Sequence, residues 1–348
     1  MYRTNDRLAR AEKRFFAGTV SNNHIRITRI HRLPMRRPRA STWEEIPGRI
    51  AASDGTLLAT LARVPTTKPA TKRKRPLVLC INGLSNERFQ LEPLAEEAAK
   101  RGARTLTYDF RGHGCSENPR NPREVSARAF AEDGWRCVDA FEDASECKIV
   151  IVAYSYGVQV GLEMCRMRKS RVECFIAVLG SPERILDGLM PSAMADATIF
   201  TATRVLGLRL SSWLLGLSLR VGASFSYPCH LIGRATGYLK SSYEGFSKPF
   251  FKHLARLDAE TWARCVVDGH RNGAMDVFET LRDDDDGETF VVVIAGDKDF
   301  AAPRRVMRSW ERYADEFVML RGCAHDGLRS HTEEILAVAR RAFDRILS

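Results

Sequence analysis

Three residues far apart in the chain have the types and settings needed to cleave an acyl bond together. Ser155 lies in Ala153-Tyr154-Ser155-Tyr156-Gly157, after the apolar run KIVIV and before a stretch of helical periodicity. A serine between a strand and a helix sits on so tight a turn that its second neighbours must be small, and its hydroxyl then stands clear of the backbone. A hydroxyl is a weak nucleophile and needs a base held against it. His325 follows a short strand-like run, in Gly322-Cys323-Ala324-His325-Asp326-Gly327. A carboxylate follows the run TFVVVIA, in Gly296-Asp297-Lys298-Asp299-Phe300. Two acids compete there, and Asp299 is favoured over Asp297 because it lies further out on the loop and precedes Ala301-Ala302-Pro303. Such an acid fixes the imidazole tautomer and stabilises its charged form.

Two backbone amides complete the set. The N–H of Tyr156 falls at a helix start, where unpaired donors can hold an oxyanion. The loop Asn82-Gly83-Leu84 follows the run LVLCI, and Leu84 N–H is expected as the second donor. The glycine-containing segment Asp109–Ser116 reads as scaffold, with His113 a structural residue. No other histidine has a setting like that of His325.

These residues need elements to bring them together. Residues 44–64 read as two strands around the turn Ser53-Asp54-Gly55, since Asp-Gly favours tight reversal. Beyond a basic, Pro- and Thr-containing connection (66–76), strands and helices alternate. Strands are expected at 77–81, 104–110, 148–153, 173–179, 289–295 and 317–320, and helices at 91–101, 127–144, 157–167, 304–313 and 332–347. This alternation predicts a mostly parallel sheet covered on both faces by helices. In such sheets ligands bind beyond the carboxyl ends of the strands, which is where Ser155, Asp299 and His325 fall. Residues 183–285 differ: rich in Leu, Ala, Ser and Gly, with no convincing strand, they read as a helical insertion over the strand ends, a cap or lid. The expected organisation is a basic arm (1–40), a core (41–182 and 286–348) and this insertion.

Composition bounds the rest. With 44% hydrophobic and 28% charged residues in 348, the chain can bury a large core, and disorder of the whole is excluded. The net charge of +11 is concentrated at one end, where residues 1–40 carry eleven Lys or Arg against two acids. An acidic carrier protein or an anionic membrane surface is therefore a candidate partner for the arm, while nucleic acid is not expected. Nine cysteines without a Cys-x-x-Cys pair read as buried free thiols in a reducing compartment. No secretory signal and no apolar run of about 18 residues is seen, so a cytoplasmic location is expected. The four acids Asp283–Asp286 lack the spacing of a calcium loop and read as a solvated linker.

The stretches LVLCINGLSNERF, TLTYDFRGHGCSENP, VAYSYGVQVGL, AGDKDFAAP and GCAHDGL, in this order, resemble the α/β-hydrolase superfamily over about residues 44–348. Within it the chain is similar to the monoacylglycerol lipase, lysophospholipase and esterase group. The resemblance implies two-step acyl transfer through an acyl-serine, a cap before the acid-bearing strand, and neither metal nor organic cofactor. Asn82 stands where the group has histidine, and Ala153 where it has glycine. The expected function is hydrolysis of a carboxylic ester with a hydrophobic acyl group. The alternatives are a thioesterase or acyltransferase using acyl-thioesters, a C–C bond hydrolase on the same scaffold, and a binding protein that keeps the fold without catalysis.

Overall fold

The computed structural model describes residues 43–66, 76–141, 148–188, 190–205, 209–237, 239–281 and 289–347. The basic arm and the run Asp283–Asp286 lie outside these residues, as does the expected extension of the 127–144 helix beyond 141.

Eight strands form one sheet in the order β1-β2-β4-β3-β5-β6-β7-β8. The first two, β1 (Trp43–Ala51) and β2 (Leu57–Pro65), pair antiparallel across the Asp54-Gly55 turn. Gly55 there has φ of 80°, a left-handed conformation that favours glycine. β2 then pairs antiparallel with β4 (Arg104–Tyr108). From there the sheet is parallel, through β3 (Leu77–Ile81), β5 (Ile149–Tyr154), β6 (Val172–Val178), β7 (Phe290–Gly296) and β8 (Glu316–Leu320).

The central strands are apolar throughout because both of their faces are covered. Side chains alternate across the sheet. Leu77, Leu79, Ile151, Ala153, Val291 and Val293 face one core, which is completed by Trp135, Met164, Phe278 and Trp310. Their sequence neighbours Val78, Cys80, Val150, Val152, Val292 and Ile294 face a second core, made with Leu94, Ala98, Ile335 and Phe343. The first core is roofed by helices α2 (Ala127–Asp139) and α3 (Gly157–Arg168), the second by α1 (Glu92–Lys100) and the C-terminal helix Thr332–Leu347. Ser126 caps α2, its side chain accepting the Ala129 N–H at 3.0 Å, which satisfies a donor the helix cannot pair itself.

Between β6 and β7 the chain forms helices α4 (Ser192–Val205), α5 (Arg209–Ser224), α6 (Ser226–Ala235), α7 (Lys248–Leu254), α8 (Ala259–Arg271) and α9 (Met275–Thr280). The last of these turns inward: Val277 and Phe278 are buried in the first core, with Phe278 4.7 Å from the Trp310 ring. Sheet and helices then resume with β7, α10 (Arg304–Met307), β8, α11 (Gly327–Ser330) and α12 (Thr332–Leu347).

The Asp109–Ser116 loop is tied down by buried polar contacts. Asp109 Oδ2 accepts the Cys115 N–H at 3.0 Å. Arg111 donates twice to Asp133, at 2.7 and 2.8 Å, with both side chains fully buried. His113 is buried, and its Nδ1 lies 3.1 Å from the Arg111 carbonyl oxygen. Burial, with a smaller push from His253, holds its pKa down at about 4, so it is a neutral structural residue.

Candidate active site

Ser155 begins the turn between β5 and α3 with φ of 55°. A non-glycine residue in this left-handed region is strained and must be held by its surroundings. They are tight. A Cβ on Gly157 would lie 2.5 Å from the Asn82 carbonyl oxygen, and one on Gly180 would lie 2.4 Å from that of Ser155. The Ser155 N–H is taken by the Val178 carbonyl at 3.1 Å. The requirement for small residues around the serine is thus imposed by neighbouring strand ends as well as by the turn itself.

His325 stands on the loop after β8, and its Nε2 lies 2.9 Å from Ser155 Oγ. Its Nδ1 lies 2.9 and 3.0 Å from the two carboxylate oxygens of Asp299. Asp299 is buried, and its Oδ1 also accepts the N–H groups of Ala301 and Ala302 at 2.9 and 3.0 Å. Asp297 points elsewhere, accepting the Gly322 N–H at 2.6 Å. Burial pushes the imidazole of His325 down. The charge and hydrogen bond of Asp299, joined by the charge of Asp326, outweigh it and hold the pKa above its ordinary value.

Two neighbours missed by sequence reasoning fix the histidine. Tyr154 donates its phenol to the His325 carbonyl oxygen at 2.7 Å, and its ring stacks on the imidazole with centroids 5.5 Å apart. Its place beside Ser155 was visible in the sequence; its partner, 171 residues away, was not. Asp326, buried beside His325, accepts the backbone N–H groups of Lys240 and Ser241 on one oxygen, at 2.8 and 2.6 Å. The histidine loop is thereby attached to the inserted helices.

The loop after β3 runs against the serine. A Cβ on Gly83 would lie 2.7 Å from Ser155 Cβ and 3.2 Å from its Oγ. Leu84 follows on this loop, and Tyr156, next to Ser155 in the chain, occupies the N-cap position of α3. Ser85 has φ of 61°, and its hydroxyl accepts Trp262 Nε1–H at 2.8 Å, so α8 braces this loop. Tyr156 is buried against Phe110 and Phe130, and its hydroxyl donates to Asp268 on α8 at 3.2 Å.

A separate cavity of about 350 Å³ is lined by Arg184, Asp196, Ile199, Phe200, His270 and Arg271, none of which belongs to this group. Among the described residues no cluster of His, Cys, Asp or Glu is placed to hold a metal ion. The eight cysteines among them are free thiols, six of them buried. Cys323, close to His325, is pushed up to about 12, first by burial and then by neighbouring acids, and behaves as packing.

The sheet order, mostly parallel and flanked by helices, agrees with the comparisons. The profile of the Alpha/beta hydrolase family matches residues 78–338, and the chain belongs to that family. It is an enzyme of the α/β-hydrolase fold. Solved structures similar to it include an esterase from Thermogutta terrifontis, at 17% identity and a TM-score of 0.63, covering 87% of this chain and 99% of that one. An enol-lactonase from Burkholderia xenovorans aligns at 15% identity and a TM-score of 0.59, over 85% and 99%. An epoxide hydrolase from Vigna radiata aligns at 16% identity and a TM-score of 0.61, over 88% and 100%. At these identities the likeness is one of fold, and chemistry must be argued from the site. None of the curated proteins matches the chain by sequence.

Proposed function

We propose that this enzyme hydrolyses carboxylic esters through an acyl-serine. The supporting observation is the unbroken line from Ser155 Oγ to His325 Nε2 at 2.9 Å and from His325 Nδ1 to Asp299 at 2.9 Å. His325 Nε2 takes the Ser155 proton as Oγ attacks the acyl carbonyl carbon. The carbonyl π electrons move to oxygen, and the N–H groups of Tyr156 and Leu84 receive the charge. The tetrahedral species collapses and the C–O bond to the alcohol breaks, with His325 returning the proton to the departing oxygen. Water then repeats the sequence on the acyl-serine, releasing the acid and restoring Ser155. Asp299 accepts the Nδ1–H throughout, so the imidazole presents its basic nitrogen to the serine.

A serine at the turn also separates this chain from fold relatives that attack with aspartate. The apolar character of the inserted helices favours a hydrophobic acyl group. The discriminating experiment compares p-nitrophenyl esters of increasing chain length with acyl-thioesters of the same acyl groups. An ester hydrolase for hydrophobic acyl groups gives kcat/KM rising with chain length and esters preferred. A preference for thioesters at every length contradicts the ester assignment.

A further inference from the structure

Among the described residues, every large apolar side chain left exposed falls between Met194 and Ile232, on α4, α5 and α6. Helical spacing organises them. On α5, Trp213, Leu217 and Val221 recur every fourth residue with Leu214 beside them, a single stripe. The other side of α5, with Leu215, Gly216 and Leu219, is half-buried where the helix packs on α7 and α8. Phe225 joins α5 to α6, where Tyr227 and Leu231 lie one turn apart with Ile232 adjacent. Trp213 is 60% exposed and Ile232 65%. Exposed apolar side chains concentrated on one run of helices mark a place where something binds.

The charge around it selects the partner. From residue 197 to 243 the chain contains no Asp or Glu, but carries Arg204, Arg209, Arg220, Arg234 and Lys240. Arg204, Arg220, Arg234 and Lys240 are exposed. The Arg204 guanidinium lies over the exposed Phe200 ring at 4.3 Å. Apolar side chains interleaved with unopposed cations match a bilayer interface, where the former enter the acyl boundary and the latter meet phosphates. A second copy of the chain fits less well. A two-fold interface sets a patch against itself, and this one would bring arginine against arginine with no acid between them.

We infer that the outer face of α5 and α6 docks on an anionic lipid bilayer. The same stretch of chain continues into Lys240 and Ser241, which Asp326 holds beside His325. The docking face thus belongs to the segment that touches the site. The inference stands apart from ester hydrolysis, because it is tested without turnover.

The test is co-sedimentation of the full chain with vesicles of phosphatidylcholine containing about one-third phosphatidylserine. Tryptophan emission is read in parallel. The chain binds these vesicles, binds pure phosphatidylcholine far more weakly, and loses affinity as salt rises. Its emission shifts to the blue on binding, and Trp213→Phe removes the shift. The pair Arg220→Gln with Arg234→Gln weakens binding about 25-fold, about five-fold for each cation. The pair Leu217→Glu with Ile232→Glu abolishes it, while thermal melting shows both variants folded. Equal binding by all variants with no Trp213 shift assigns the membrane contact to the basic N-terminal arm and overturns the inference. Concentration-dependent dimerisation that Leu217→Glu breaks, without lipid binding, assigns the face to a second copy and overturns it as well. Absence of vesicle binding also overturns it.

Discussion

The carboxylate of Asp326 receives the Ser241 N–H at 2.6 Å, joining the residue after His325 to the connection between α6 and α7 within the insertion. Asp326 also receives the Lys240 N–H, and its main-chain oxygen lies 3.4 Å from the Ser241 hydroxyl. One buried side chain thus ties the loop that carries His325 to the connection between α6 and α7.

Replacing Asp326 with Ala leaves two backbone donors without their charged acceptor. Each such loss costs about 1–3 kcal/mol, so unfolding in urea is expected to show a destabilisation of about 2–6 kcal/mol. Ester turnover falls in the same variant, because His325 loses its neighbour's anchorage. An unchanged urea midpoint refutes the latch.

The pH profile follows from the electrostatics at His325. Burial lowers its pKa, but Asp299 and then Asp326 more than compensate, leaving it above the ordinary 6.5. Only the neutral imidazole can accept the Ser155 proton. The acid limb of kcat/KM is therefore expected to have its midpoint above 6.5. Asp299→Asn removes the main raising influence, so the midpoint of residual activity moves down. The same substitution lowers kcat roughly 10⁴-fold through the wrong tautomer. A midpoint below the ordinary value in the native enzyme contradicts this account.

Gly83 leaves no room for a side chain, since its Cβ would stand 2.7 Å from Ser155 Cβ and 3.2 Å from Asn86 Nδ2. Gly83→Ala is expected to displace the β3 loop and its N–H groups from the serine. The rate then falls about 10²- to 10³-fold, as steady-state kinetics on a short ester will show. Wild-type turnover by this variant means that the loop does not serve the oxyanion.

The Arg111–Asp133 pair is buried on both sides. Asp133→Ala strands the guanidinium, at a cost of about 3–5 kcal/mol. Asp54, 3.3 Å from Arg111, offsets part of that loss. Denaturant unfolding of Asp133→Ala beside Asp54→Ala separates the two carboxylates, and a larger effect at Asp54 contradicts the assignment.

Much of this architecture was legible in the chain because its signals are local. Strands β3 and β5 are unbroken apolar runs, and a sheet covered on both faces demands such runs. The strand ends that carry Ser155, Asp299 and His325 followed from the same alternation. Contacts that depend on distant backbone stayed hidden. The Tyr154–His325 stacking and the Asp326 latch use a phenol, a carboxylate and main-chain N–H groups, which leave no pattern at the receiving residue. The inward turn of α9 was also invisible, since Val277 and Phe278 look like any other apolar residues of a helical insertion. The strain at Ser155 could be anticipated from its small neighbours, but the role of Gly180 depends on the end of β6 lying against the serine.

The most direct test of the central claim is covalent labelling with a fluorophosphonate, followed by peptide mapping. The account predicts one adduct, on Ser155, lost in Ser155→Ala and greatly slowed in His325→Ala. A native protein that stays unlabelled, or a Ser155→Ala variant that still turns over p-nitrophenyl esters at the native rate, contradicts it.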